Sequence, residues 1–259
     1  MHDSTRLPIT LTNLTKSFDS QDRGKITPVK NVSITFNPGE LTCILGQSGC
    51  GKTTLLRLIS GLIKPSAGKV EIGNDQILQH AKNVASVNQS GDLLPWLNVL
   101  QNVAFGLEIA GFAKAERNQC ALKALNSVNL DESIANSMIW ELSGGMRQRV
   151  ALARALCFRA SIMLMDEPFA SLDEPTRHQL QDMLIRLHRE MPVTTVFVTH
   201  SIEEALYLAD RIVVFSKGEI VADIPVELGQ PRDRFCSEFI GQLLDIRKIL
   251  AAHKSEIDL

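Results

Sequence analysis

The stretch Gly46-Gln47-Ser48-Gly49-Cys50-Gly51-Lys52-Thr53 limits the possible folds more than any other part of the chain. It fits G-x-x-x-x-G-K-[ST] and lies between "LTCIL" and "TTLLRLISGL". The first of these is a continuous apolar run, as expected of a strand buried on both faces, and the second has a helical pattern. A strand, a glycine turn and a helix in that order predict a layered α/β fold. Backbone N–H groups from Gly49 to Thr54 would wrap a β-phosphate, Lys52 would reach β and γ oxygens, and the Thr53 hydroxyl would ligate Mg²⁺. The pattern therefore predicts a nucleoside triphosphate site. Cys50 lies inside the loop near a helix start, where thiol acidity can rise, but a small residue that fits the turn is the plainer reading.

The rest of the chain agrees with that fold class. Short apolar runs alternate with helical patterns, the mark of a mainly parallel sheet covered by helices. After "LTCIL" the runs "SIMLM", "TTVFV" and "RIVVF" read as further buried strands. The opening differs: "ITLTNLTKSF" and "VSITFN" alternate like half-buried antiparallel strands, with the polar stretch 19–27 between them as a loop. From Asn98 to Trp140 the residues read as helices with a break at "GFAK", an inserted lobe of about 96–145. From Pro175 a helix carries Leu180, Met183, Leu184 and Leu187 on one face, a core stripe. Residues 1–228 form one domain on this reading. Residues 229–259, with "QPRDRF" and a helical pattern, form an appended tail.

With a net charge of -2 the chain has no general pull toward nucleic acid or anionic lipid. Five cysteines, an odd number without a C-x-x-C pair, point to a reducing compartment and not to a disulfide framework. The N-terminus lacks a signal-peptide pattern, and no apolar stretch approaches the roughly 18 residues of a membrane span. The dispersed histidines give no zinc site.

Two further stretches carry chemistry. "SIMLMDEPF" sets Asp166 and Glu167 at the end of a buried strand, the edge where α/β sheets bind ligands. Asp166 suits a Mg²⁺ shell, and Glu167 is placed to orient the water that attacks a γ-phosphate. "LSGGMRQRV" puts Ser143, Gly144 and Gly145 directly before a helix start, a second anion cradle but one with no lysine. His200 closes "TTVFVTH" and would arrive on the same sheet edge as the two acids.

Taken together, these pieces resemble the ATP-binding subunit of ABC transporters over almost the whole chain. "GQSGCGKTT" is similar to the Walker A loop, Gln89 to the Q-loop glutamine, "LSGGM" to the ABC signature and "SIMLMDEP" to Walker B. "ASLD", Ala170 to Asp173, looks like the D-loop. The resemblance implies a P-loop NTPase of the ABC-ATPase fold, with an N-terminal antiparallel β subdomain and an inserted helical subdomain. It implies that Phe18 stacks on adenine and that Gly46, Gln47, Ser48, Gly49, Cys50, Gly51, Lys52, Thr53 and Thr54 hold the phosphates. Thr53, Gln89 and Asp166 would hold Mg²⁺, with Glu167 and His200 catalytic. Ser143, Gly144 and Gly145 would close over ATP held by a second copy of the chain, which explains the second cradle. Phe18 lacks the phenol of the tyrosine often found there, and Asn88 stands where relatives usually carry an aromatic residue.

The wider resemblance, through "LLPWLNVLQNVAFGLEIAG" and the tail, is to importers of the nitrate, sulfonate and taurine group. It implies an ATPase peripheral to the cytoplasmic face of the inner membrane. Its partners would be permease subunits and a periplasmic or extracellular substrate-binding protein, with no nucleic acid. Leu93 to Val99 would line the permease groove or serve as ordinary lobe core. The alternative is the ATPase of an exporter or lipid-moving complex. A soluble ABC protein of translation or chromosome maintenance fits less well, because the chain has one cassette and no sustained heptads.

Overall fold

The computed structural model describes residues 6–20, 24–73, 75–76 and 84–253. Strands β1 (Ile9–Ser20) and β2 (Gly24–Phe36) pair antiparallel from Ile9↔Phe36 to Ser20↔Gly24. The ribbon therefore extends into the stretch expected to be a loop, of which residues 21–23 lie outside the described ones. Asp19 faces Lys25 across this ribbon and both are exposed, so the polarity there marks the outer end of paired strands. Next comes β3 (Leu41–Leu45), all five residues buried as its unbroken apolar run predicts. It is followed by helix α1 (Lys52–Ile59), then by β4 (Ala67–Ile72) and the short β5 (Asp75–Gln76). These strands complete an antiparallel sheet of order β2-β1-β4-β5.

Asn83–Pro192 form a compact unit of their own. It opens with β6 (Val84–Asn88) and α2 (Val99–Ile109). The start of α2 is fixed by a reciprocal cap, in which Asn98 Oδ1 accepts from Gln101 N at 2.8 Å and Gln101 Oε1 accepts from Asn98 N at 3.0 Å. After the expected break at Gly111 comes α3 (Lys114–Ser127). The helical reading then fails: residues 128–143 hold only two short 3₁₀ turns, Glu132–Asn136 and Ile139–Glu141. Asn129 is left-handed at φ 56°, and Asp131 Oδ1 accepts from Ser133 N, the local side-chain bonding that competes with a helix. The unit continues through α4 (Gly144–Cys157), β7 (Ile162–Asp166) and α5 (Glu174–Glu190). On α5 the expected stripe of Leu180, Met183, Leu184 and Leu187 is buried. Truncating any one of them to alanine has a typical cost of about 2–5 kcal/mol.

Met1–Lys82 and Val193–Leu259 make up the other unit. Its second part supplies β8 (Thr194–Thr199), α6 (Ile202–Leu208), β9 (Arg211–Ser216), β10 (Glu219–Pro225) and α7 (Ser237–Ala252). Here β3 lies between β8 and β9, parallel to both, and β10 pairs antiparallel with β9. Arg211 ties this sheet's edge to the antiparallel one, donating from Nη1 to Thr35 O at 2.9 Å. All five cysteines are free thiols. Residues 254–259 of the expected tail lie outside the described ones.

Candidate active site

The phosphate loop leaves the sheet beside His200. Leu45 and Thr199 are register partners in parallel strands, and Gly46 N donates to Thr199 O at 3.4 Å. Both following segments emerge at the carboxyl edge of the sheet, where ligands bind. A Cβ at Gly46 would lie 2.2 Å from the Phe215 carbonyl oxygen, and one at Gly51 2.0 Å from that of Pro28, where φ is also +112°. Only glycine fits at either point. Helix α1 begins at Lys52 with no side-chain cap, so its first turn presents the N–H groups a helix leaves without internal partners. Lys52 is buried, and its ammonium donates to the carbonyls of Gly46 and Gln47, each at 2.8 Å. Its charge is thereby held over the loop. Gln47, Ser48, Gly49 and Thr53 are exposed, while Cys50 and Thr54 are half-buried. Phe18 presents a ring that is 43% exposed, with Lys16 Nζ 4.9 Å from its centroid.

His200 is exposed between two fixed neighbours. Thr199, buried at the end of β8, donates from its hydroxyl to the Glu204 carboxylate and accepts from Ser201 N at 3.0 Å. Ser201 Oγ then caps α6 by accepting from Glu204 N at 3.2 Å.

The second unit gathers three more of the expected residues. Parallel β6 and β7 pair Asn88 with Asp166, so Gln89 and Glu167, each one residue on, leave adjacent strand ends. Glu167 has φ 46°, a left-handed conformation that non-glycine residues adopt mainly where the surroundings impose it. The turn carrying Gln89 is braced from α4: Gln148 Nε2 donates to Asn88 O at 3.2 Å, and Arg154 donates to the carbonyls of Gly91 and Asp92, each at 2.8 Å. Sequence reasoning missed both braces. Their only trace is two polar residues six apart in a helical run, Gln148 and Arg154, which reads equally well as part of a surface face.

Within this turn the Ser90 hydroxyl, helped by the Asn88 amide and the Arg154 charge, holds the Asp92 carboxyl below its ordinary range against the opposing effect of burial. Burial in turn lowers Arg154. Because the folded pKa of Asp92 lies below its unfolded value, its ionised form stabilises the fold at pH values above the unfolded pKa. That contribution fades as pH falls through the lowered folded value. The parent should therefore melt above Asp92→Asn at about pH 7, and the gap should close in acid well below about pH 4. Calorimetry across that range checks it.

The second anion cradle is built as a helix start. Ser143 Oγ accepts from Met146 N at 3.2 Å as the cap of α4. A hydroxyl that accepts in this way keeps its own hydrogen to donate. Ser143 and Gly144 are exposed, and Gly145 is half-buried. They share a cleft of about 510 Å³ with Ser171, Asp173 and Thr176, so the turn over 170–173 lies beside the serine-glycine turn. Asp173 caps α5, and its carboxyl is lowered first by the Thr176 hydroxyl.

The ABC transporter family matches residues 29–170, through the phosphate loop, the serine-glycine turn and the Asp166-Glu167 pair. An uncharacterized ABC transporter ATP-binding protein of Methanocaldococcus jannaschii is 40% identical over 98% of this chain and 94% of its own length. The taurine import ATP-binding protein of Yersinia pestis bv. Antiqua is 43% identical over 78% of this chain and 80% of its own. A dimeric ATP-binding cassette, solved in a post-hydrolysis state bound to ADP and Pi, superposes with a TM-score of 0.77 at 33% identity. It covers 85% of this chain and 100% of that one. The chain belongs to the ABC transporter family as an ATP-binding subunit, with that family's cassette fold, and it is an ATPase.

Proposed function

We propose that two copies of this chain close head to tail over two ATP molecules and drive a membrane permease that moves a small solute of nitrate, sulfonate or taurine type into the cell. One observation carries the reading: paired strand ends bring Gln89, Asp166 and Glu167 together, while a separate helix start offers a second anion cradle without a lysine. The dimeric cassette bound to ADP and Pi supports the two-copy arrangement. The name of the taurine import relative supports import over the exporter alternative.

In this reading Phe18 stacks on adenine, and Gly46 to Thr54 wrap the phosphates, with Lys52 on the β and γ oxygens. Thr53, Gln89 and Asp166 supply a hydroxyl, an amide oxygen and a carboxylate, hard oxygen donors that suit Mg²⁺. Among the described residues no group of three or more His, Cys, Asp or Glu could hold a metal. That is in keeping with an ion bound mainly through substrate phosphates and water. When bound, Mg²⁺ supplies neutralisation of the charge that develops on the phosphates. Glu167 orients the attacking water and His200 contacts the γ-phosphate. Ser143, Gly144 and Gly145 donate to the γ-phosphate held by the other copy. The working domain spans 1–228 with its helical lobe at about 96–145, and 229–259 is a tail.

The permease would dock on the lobe. Trp96 is 70% exposed, which argues against a pure core role for 93–99. The loop that presents it is pinned by buried Asn102, which accepts from Leu94 N at 2.8 Å and donates to the carbonyls of Leu94, Leu97 and Asn98 at 3.0–3.1 Å. Among the described residues no helix is long and apolar enough to cross a membrane. In this reading the permease holds the chain at the cytoplasmic face of the inner membrane. A periplasmic or extracellular binding protein would deliver the solute. In cells lacking the chain, accumulation of labelled taurine, alkanesulfonate, nitrate or bicarbonate should collapse for one of them. Undiminished uptake of all four with increased retention of an exported compound would reverse the direction.

A further inference from the structure

We infer that Arg232, in the tail, is a positioning residue for His200 and acts through the short helix between them. This rests on the reading of His200 as a γ-phosphate contact. Helix α6 has only seven residues, too short to hold itself in water, so its direction is set by what grips its two ends. At the N-terminal end the grip is the Thr199, Ser201 and Glu204 cluster that brackets His200. At the other end the carbonyls of Leu206 and Tyr207 belong to the last turn, whose oxygens lack intrahelical donors. Arg232 Nη1 donates to both, at 2.9 and 2.8 Å, from a site where the residue is 8% exposed.

A guanidinium at this point also sets positive charge against the negative end of the helix dipole. Both bonds come from one nitrogen held in the rigid guanidinium plane, which fixes their directions, whereas a lysine ammonium turns freely on a flexible stem. Arg234 adds a second grip. Its guanidinium lies 3.3 Å from the Tyr207 ring centroid and its Nε is 3.1 Å from Glu203, so it spans two residues one turn apart on α6. Helix α7 packs on α6 as well. The tail thus holds the far end of the lever whose near end carries His200. Loosening it should leave the phosphate loop as it is and blur the placement of the imidazole.

The test uses the full chain. Arg232→Met should lower kcat about tenfold with ATP KM within about twofold, the split expected when a transition-state contact is lost and ground-state binding is kept. Arg232→Lys should recover part of the loss, and Arg234→Gln should act in the same direction more weakly. In protein labelled with ¹³C-histidine, the His200 ring resonance should move in Arg232→Met. In a His200→Ala background, Arg232→Met should cause no further loss in single-turnover rate, since coupled residues do not add. An equal fold-loss in that background, or an unmoved His200 resonance, overturns the inference. Should Arg232→Met fail to fold, Arg234→Gln carries the same comparison with the same two outcomes. If His200→Ala alone retains parental kcat, the reading of His200 fails instead, and the resonance shift still decides whether the tail sets the position of this side chain.

Discussion

Glu167→Gln should reduce ATP turnover by about two to three orders of magnitude while leaving a dimer loaded with ATP. The glutamine keeps nearly the same volume and can adopt the same left-handed turn after β7, so local structure should survive. What it loses is the carboxylate, and with it the ability to orient and polarise water as an acceptor for its proton. Nucleotide binding depends on other groups, namely the glycine turn, the uncapped start of α1 and the Lys52 ammonium. Closure should therefore proceed and reopening should stall. Phosphate release would read the first effect, and light scattering with saturating ATP the second. A variant that turns over at the parental rate removes Glu167 from the reaction, and one that stays monomeric with ATP weakens the closed-dimer account.

The strands read most directly were those with a continuous buried run, while β1 and β2 were read from their alternation. β3 and β8 are buried at every position and β7 at every position before Asp166, so their apolar runs were unambiguous. β4 and β6 escaped because each has only two buried positions and β10 because it has none, with patterns as mixed as those of loops. The same division holds for the site. The phosphate loop is local chemistry, fixed by glycine geometry over a few residues. Gln89 acquired meaning only from the order of motifs around it, since an exposed glutamine in a turn is ordinary. Arg154 and Arg232 left no local signal, because their partners are backbone carbonyls at separations of 62 and 26 residues, and any residue type presents the same carbonyl. Polar contacts of side chain to distant backbone are thus what a sequence hides best, and in this chain they hold the turn that carries Gln89 and the far end of the helix that follows His200.

Mixing two defective chains should restore what neither has alone. Lys52→Ala removes the cation from the phosphate loop and keeps the serine-glycine turn, whereas Ser143→Arg does the reverse. The second substitution also forfeits a helix cap of about 1 kcal/mol, too little to unfold an ordinary domain. If each pocket takes its loop from one copy and its turn from the other, every pocket in either homodimer is half-broken. In the mixed dimer one pocket collects both lesions and the other collects none. Introduced into Glu167→Gln, which prevents release by hydrolysis, the two chains mixed should retain about one ATP per mixed dimer, against two for Glu167→Gln alone and almost none for either double variant. Random pairing makes about half of all dimers mixed, so retention over the whole sample should be about a quarter of the Glu167→Gln level. If Ser143→Arg alone retains full nucleotide, or if the mixture retains no more than the mean of its components, each chain completes its own pocket. The serine-glycine turn would then need another anion, and the lack of a lysine in the second cradle would no longer be explained by its neighbour's Lys52.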